Sequence, residues 1–61
     1  MPYIEVKALE RRIDDASAKR VIAALTDALC DALGEEVRPD TWVVVEGIPG
    51  TRWGIAGEPL S

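Results

Sequence analysis

Between two short runs that read as β-strands, this chain carries apolar residues at helical spacing. Val21, Ile22, Leu25, Ala28, Leu29, Ala32 and Leu33 recur three and four residues apart, with Lys19, Arg20, Asp27 and Asp31 on the opposite side. Asp14 or Asp15 can cap the amino end of this helix, and both acids suit its positive pole. Gly34 follows the last periodic residue, as a helix-terminating glycine does, and Pro39 lies beyond it. Before the helix, residues 3 to 9 alternate, with Ile4 and Val6 on one face and Tyr3, Glu5 and Lys7 on the other. After it, residues 41 to 46 (Thr-Trp-Val-Val-Val-Glu) form a nearly continuous apolar strand suited to burial on both faces. Strand, long helix, strand is a βαβ unit, whose two strands run parallel around a right-handed crossover.

With 61 residues, that unit is almost the whole protein, a single domain over residues 1–61. Two strands and one helix cannot cover both faces of their own sheet, and domains of this size need an added support. One cysteine, Cys30, forms no internal disulfide, and with no histidine the common zinc ligand sets are excluded. Oligomerisation remains: open sheet edges and a bare sheet face await another subunit. A hydrophobic fraction of 48% rules out a disordered chain. The tail from Gly47 to Ser61 has four glycines and two prolines, but also Ile48, Trp53 and Ile55, and reads as a short hairpin or turn packed on a neighbour.

The net charge is −4 and no basic run exceeds two residues, which argues against a nucleic-acid partner, although scattered cations can converge on an anionic small molecule. No apolar run approaches the roughly 20 residues of a membrane span, and no signal-peptide pattern opens the chain, so a reducing, cytoplasmic setting is expected. Cys30 lies at the border of the helix's polar side with no histidine to activate it, and reads as structural. The residue with chemistry of its own is Pro2. Removal of Met1 would leave a secondary amine at the start of the first strand, and such an amine, held near neutral pKa, works as a general base or a nucleophile. A proline there is also simply tolerated at a strand edge.

Taken with Pro2, the strand Tyr3-Ile4-Glu5-Val6, the turn Leu9-Glu10-Arg11-Arg12, the helix of about 19 residues, Val43-Val44-Val45-Glu46 and Trp53-Gly54-Ile55-Ala56-Gly57 give a chain that resembles the 4-oxalocrotonate tautomerase family, the short members of the tautomerase superfamily, over nearly its whole length. The resemblance implies an α/β (α+β) fold with one β-α-β protomer, a four-stranded sheet completed by dimerisation, and a homohexamer built as a trimer of dimers. It implies a cofactor-independent isomerase that ketonises a 2-hydroxy-dienoate or enol 2-keto acid, with Pro2 as the base. Arg12 matches the arginine that binds a substrate carboxylate and polarises the neighbouring carbonyl oxygen, a task suited to a planar guanidinium fork. Trp53 matches the aromatic wall of the pocket, where its bulk excludes water and helps lower the proline pKa, and Leu9 of the turn joins the substrate contacts. A large aromatic at 53 also suits interface packing.

Three positions depart from the family pattern. Arg11 stands where glycine commonly precedes the arginine, and Ala56 replaces a glycine often found there. Trp42 falls where a second arginine, lent by a neighbouring subunit, binds the far carboxylate of a dicarboxylate substrate. Trp42 offers one indole hydrogen bond and no charge, so a monoacid with an apolar tail suits it better, unless Arg38 or Arg52 supplies the missing cation. Two alternatives stand beside the tautomerase: a hydratase or dehalogenase of unsaturated acids on the same scaffold, and a structural subunit of a hetero-oligomer that lends residues to a partner's site.

Overall fold

The computed structural model describes all residues from Met1 to Ser61. Strand β1 spans Tyr3–Leu9, helix α1 Asp15–Leu33 and strand β2 Trp42–Ile48, which starts one residue later and ends two residues later than the apolar run predicts. β1 and β2 pair in parallel, in register from Tyr3 opposite Trp42 to Leu9 opposite Ile48, as a βαβ unit requires. The Trp42 N–H extends the ladder by donating to the Pro2 carbonyl at 3.0 Å.

The helix begins where its caps permit. Ser17 N–H donates to Asp14 Oδ1 at 2.7 Å, and Asp14 N–H donates in return to Ser17 Oγ at 2.9 Å. This reciprocal pair satisfies two donors that the first turn would leave orphaned, and it adds a turn before the apolar stripe starts. The Asp14 carboxyl is held below the usual aspartate range by the Ser17 N–H, then by the Ser17 hydroxyl. α1 ends at Gly34, whose φ of +105° returns the chain toward the sheet. Three short 3-10 turns, Glu10–Arg12, Glu35–Asp40 and Gly50–Arg52, make the corners.

The sheet has one covered and one open face. Ile4, Val6, Val43 and Val45 point to the α1 side and are half-buried, facing the half-buried Ala18, Val21, Leu25 and Leu29, with α1 packing chiefly on β2. On the other face Tyr3 is 58% exposed, Trp42 56% and Val44 41%. Cys30 is the one fully buried residue, at 3% exposure. This corrects its expected place at the polar border of the helix: the 35–40 turn folds back against α1 and covers that flank. Ile22 and Leu33 of the predicted stripe remain exposed.

The tail forms the predicted hairpin. Strand β3, Gly54–Ile55, pairs antiparallel with strand β4, Glu58–Pro59. Ala56 at φ +53° and Gly57 at φ +85° make the turn between them, the paired positive φ values of a type I′ hairpin. The Leu60 N–H then reaches back to the carbonyls of Trp53, at 2.8 Å, and Gly50, at 3.1 Å. The chain measures 43 × 24 × 15 Å, with a radius of gyration of 14.2 Å. A compact domain of this length would have a radius of about 10–11 Å.

Candidate active site

Pro2 and Arg12 stand at opposite ends of the same strand. Seven residue steps separate Pro2 from Leu9, roughly 23 Å of extended chain, and the turn that carries Arg12 lies beyond Leu9. Pro2 is half-buried and its carbonyl is fixed by Trp42, so the start of β1 is anchored on β2. Met1 is fully extended into solvent, at 87% exposure. While Met1 is attached, the Pro2 nitrogen is an amide and carries no basic lone pair.

The Arg12 turn is held by close approach rather than by polar contacts. It packs over the end of β2, where a Cβ built on Gly47 would lie 3.0 Å from the Glu10 Cα and 3.2 Å from its Cβ. Glycine at 47 therefore lets the turn sit down on the strand. Ile13 N–H closes the turn on the Glu10 carbonyl at 3.2 Å. Arg11 and Arg12 are exposed, and neither has a carboxylate within ion-pair distance.

A cleft of about 290 Å³ opens at the same end of the sheet as Arg12, lined by Lys7, Ile48, Arg52, Trp53 and Gly54. Lys7 and Ile48 belong to the open face, by alternation with Tyr3 and Trp42. Trp53, half-buried, is set against them by the 50–52 turn, whose backbone closes through Arg52 N–H to the Pro49 carbonyl at 2.9 Å and Trp53 N–H to the Gly50 carbonyl at 3.2 Å. Leu9 is half-buried on this face at the neighbouring position and does not line the cleft.

Of the cations that composition makes available, two are already committed. Lys7 Nζ donates to Glu46 Oε1 at 2.9 Å and lies 3.7 Å from Glu5. The Glu46 hydrogen bond, then the charges of Glu46 and Glu5, raise its pKa above the ordinary lysine value. Arg38 donates to Glu35 through Nε at 2.9 Å and through Nη2 at 3.1 Å, and to Asp27 through Nη1 at 2.9 Å. These bonds raise the Arg38 pKa further above its usual value and draw Glu35 below the usual carboxylate range. The expectation that Arg38 reaches substrate thus meets a guanidinium bound to two acids of its own chain. Trp42 stands on the open face one residue along the register from Pro2, beside Tyr3.

Sequence reasoning missed Lys7 and the ion cluster around it. The alternation of Glu5 and Lys7 on one strand with Glu46 on the other carried the signal, once parallel register put Lys7 opposite Glu46. No group of three or more His, Cys, Asp or Glu side chains is placed to hold a metal ion, and no helix is long and apolar enough to cross a membrane.

The sequence signature of the Tautomerase family, described as tautomerase enzyme, matches residues 2–61. A protein described as a probable tautomerase of Ralstonia nicotianae is 38% identical over all 61 residues, which cover 84% of its length. One from Dickeya dadantii is 28% identical over the same residues, 90% of its length. Among solved structures, the crystal structure of TomN, a 4-oxalocrotonate tautomerase homologue in the tomaymycin biosynthetic pathway, superposes with a TM-score of 0.84 at 30% identity, covering 97% of this chain and 88% of that one. The chain belongs to the tautomerase family and is a tautomerase-type isomerase with the fold of a 4-oxalocrotonate tautomerase homologue.

Proposed function

We propose that this protein ketonises a 2-hydroxy-dienoate or enol 2-keto acid without a cofactor, using Pro2, freed by removal of Met1, as the general base. The observation that carries the reading is the separation of Pro2 and Arg12 along one strand whose outer edge is free. Two β1 edges paired antiparallel about Val6 set Pro2 opposite Glu10 of the partner subunit, beside the partner's Arg12 turn. A four-stranded sheet built this way brings together, twice per dimer, what the single chain holds about 23 Å apart. The open face with Tyr3, Trp42 and Val44, and the radius of gyration, support further assembly into a homohexamer, a trimer of dimers.

In the assembled site the secondary amine of Pro2 takes the proton of the 2-hydroxyl. The freed electron pair forms the C2 carbonyl, the C2–C3 double bond shifts to C3–C4, and the C4–C5 pair takes a proton at C5 from the prolinium. The dienol becomes an α,β-unsaturated ketone, and nothing is consumed. Arg12 holds the C1 carboxylate and the adjacent oxygen, where charge develops in the transition state. Trp53 closes an apolar wall that disfavours the protonated amine and keeps Pro2 basic near neutral pH.

The test is ketonisation of 2-hydroxymuconate and of enol-phenylpyruvate, followed by absorbance on protein whose intact mass shows Met1 removed. Pro2→Ala is expected to lose at least about 100-fold in kcat/KM, the scale of a lost general base, with the native mass of the assembly retained. Undiminished turnover in that variant removes Pro2 from the mechanism. A hetero-oligomer is the second reading, favoured by Trp42 at the second-arginine position, and a second short chain in the native mass spectrum is its signature.

A further inference from the structure

We propose that Arg52 is the anion-recognition residue of the tryptophan-walled cleft, holding a second carboxylate at the far end of an unsaturated dicarboxylate in place of the arginine that Trp42 replaces. The proposal deepens the tautomerase reading and rests on it for the position of the first carboxylate, at Arg12.

The assignment follows from which cations remain free. The chain has seven, and two of them, Lys7 and Arg52, line the cleft. Lys7 is neutralised by Glu46 at 2.9 Å and by Glu5 at 3.7 Å. Arg38, the other arginine near the start of β2, is bound to Asp27 and Glu35. Lys19 and Arg20 lie on the exposed side of α1, and Arg11 and Arg12 on the turn after β1. Arg52 alone both lines the cleft and lacks a carboxylate within ion-pair distance.

Its mounting suits the task. The backbone of residues 50–53 is closed by two turn hydrogen bonds and clamped from outside by Leu60 N–H, which donates to the Gly50 and Trp53 carbonyls. The guanidinium therefore pivots on a fixed base, and a planar fork on a fixed base loses less entropy on gripping a carboxylate than a free lysine does. Beside it, Trp53 and Ile48 offer an apolar wall against which a flat conjugated chain can lie, while the fork takes the charged end. In a chain of net charge −4, with two carboxylates already around Lys7, Arg52 is the cation at the cleft left free to take an anion.

The experiment is isothermal titration calorimetry of the assembled, Met1-free protein with trans,trans-muconate and with sorbate. These six-carbon dienoates differ in that a terminal carboxylate of the first is a methyl group in the second. The wild type is expected to prefer muconate, and Arg52→Gln to reduce muconate affinity roughly ten- to hundredfold, the range for a lost charge-assisted hydrogen bond, with the muconate-to-sorbate ratio collapsing. Arg52→Lys should recover part of that ratio. Lys19→Gln removes the same charge from the exposed helix face and should leave the ratio at its wild-type value. Equal muconate and sorbate affinity in the wild type, or an Arg52→Gln ratio equal to that of Lys19→Gln, overturns the proposal. Calorimetry reads binding alone, so failure of the Pro2 mechanism appears separately, as turnover that survives Pro2→Ala.

Discussion

Ala56 is the one non-glycine residue with positive φ, at +53°, and replacing it tests whether the hairpin is part of the cooperative fold. In a two-residue turn between Ile55 and Glu58, type I′ geometry needs positive φ at both central positions. An alanine Cβ in the left-handed region crowds the following carbonyl at a cost of about 1–2 kcal/mol. Ala56→Gly removes that cost but gives the unfolded chain more freedom, worth about 0.4–1 kcal/mol in the other direction. The net expectation is a gain of roughly 0.5–1 kcal/mol per chain, since the two terms oppose each other and the first is larger. For a domain of this size that is a rise of about 2–8 °C in Tm.

The companion variant is Gly57→Ala. Its φ of +85° lies in the same forbidden region, and a Cβ built there meets nothing within 4 Å, so any effect is backbone strain alone. It should cost about 1–2 kcal/mol. Both are read by circular-dichroism melts at one fixed chain concentration, because assembly makes Tm concentration-dependent. Opposite signs, with Ala56→Gly above wild type, are expected. A pair of variants that both melt with the wild type would mean that the hairpin frays before the chain unfolds, and that the strain assigned to Ala56 does not act on stability.

Two other outcomes are expected elsewhere in the fold. Gly47→Ala should destabilise by about 1–3 kcal/mol, as overpacking does, because its Cβ meets the backbone of Glu10 at 3.0 Å; by moving the Arg12 turn it should also raise KM for a 2-keto acid, and a normal melt with normal kinetics would contradict the packing. Asp14 has a folded pKa below its unfolded value, through the Ser17 N–H and then the Ser17 hydroxyl. Its contribution is therefore complete above the ordinary aspartate pKa of about 3.9 and is lost as pH falls through the lower folded value. Asp14→Asn should flatten the fall of Tm on acidification below about pH 4, and an unchanged acid limb would place that limb's cause elsewhere.

What was legible in the sequence was local. Alternation from Tyr3 to Leu9, the stripe from Val21 to Leu29, an aspartate cap and Gly34 each act within a few residues, and the elements they predict are present. The errors were non-local. A helical wheel puts Cys30 at the polar border because it contains only α1; the 35–40 turn that covers that flank comes from beyond the helix. Arg38 stood beside Arg52 as a source of the missing cation, and its bond to Asp27 was not legible because that partner lies eleven residues away, across the helix terminus. The charge cluster at Lys7 depends on the register of two strands 39 residues apart. Pro2, Arg12 and Trp53 stand out one by one from resemblance, but no pattern in a single chain says whether they share a site; their meeting is part of the proposed assembly.

That last gap has a physical basis, because the proposed site and the missing core are the same deficit. One residue in 61 is buried, so the protomer alone has little to set against its chain entropy. Tyr3 and Trp42 side by side on the open face keep more than half their surface in water. Covering the rest of each, roughly 100–140 Å² for an aromatic of that size, contributes about 3 kcal/mol per side chain as an upper figure. The face that carries these two residues at one end runs on to the cleft of Lys7, Arg52 and Trp53 at the other, so in the proposed assembly a subunit laid along the whole face covers the aromatics and encloses the cleft. In the proposed assembly, folding and site formation are then one event. Substitutions on the open face far from Pro2 should lower activity in proportion to the assembly they disrupt, whereas Pro2→Ala lowers activity and leaves assembly whole.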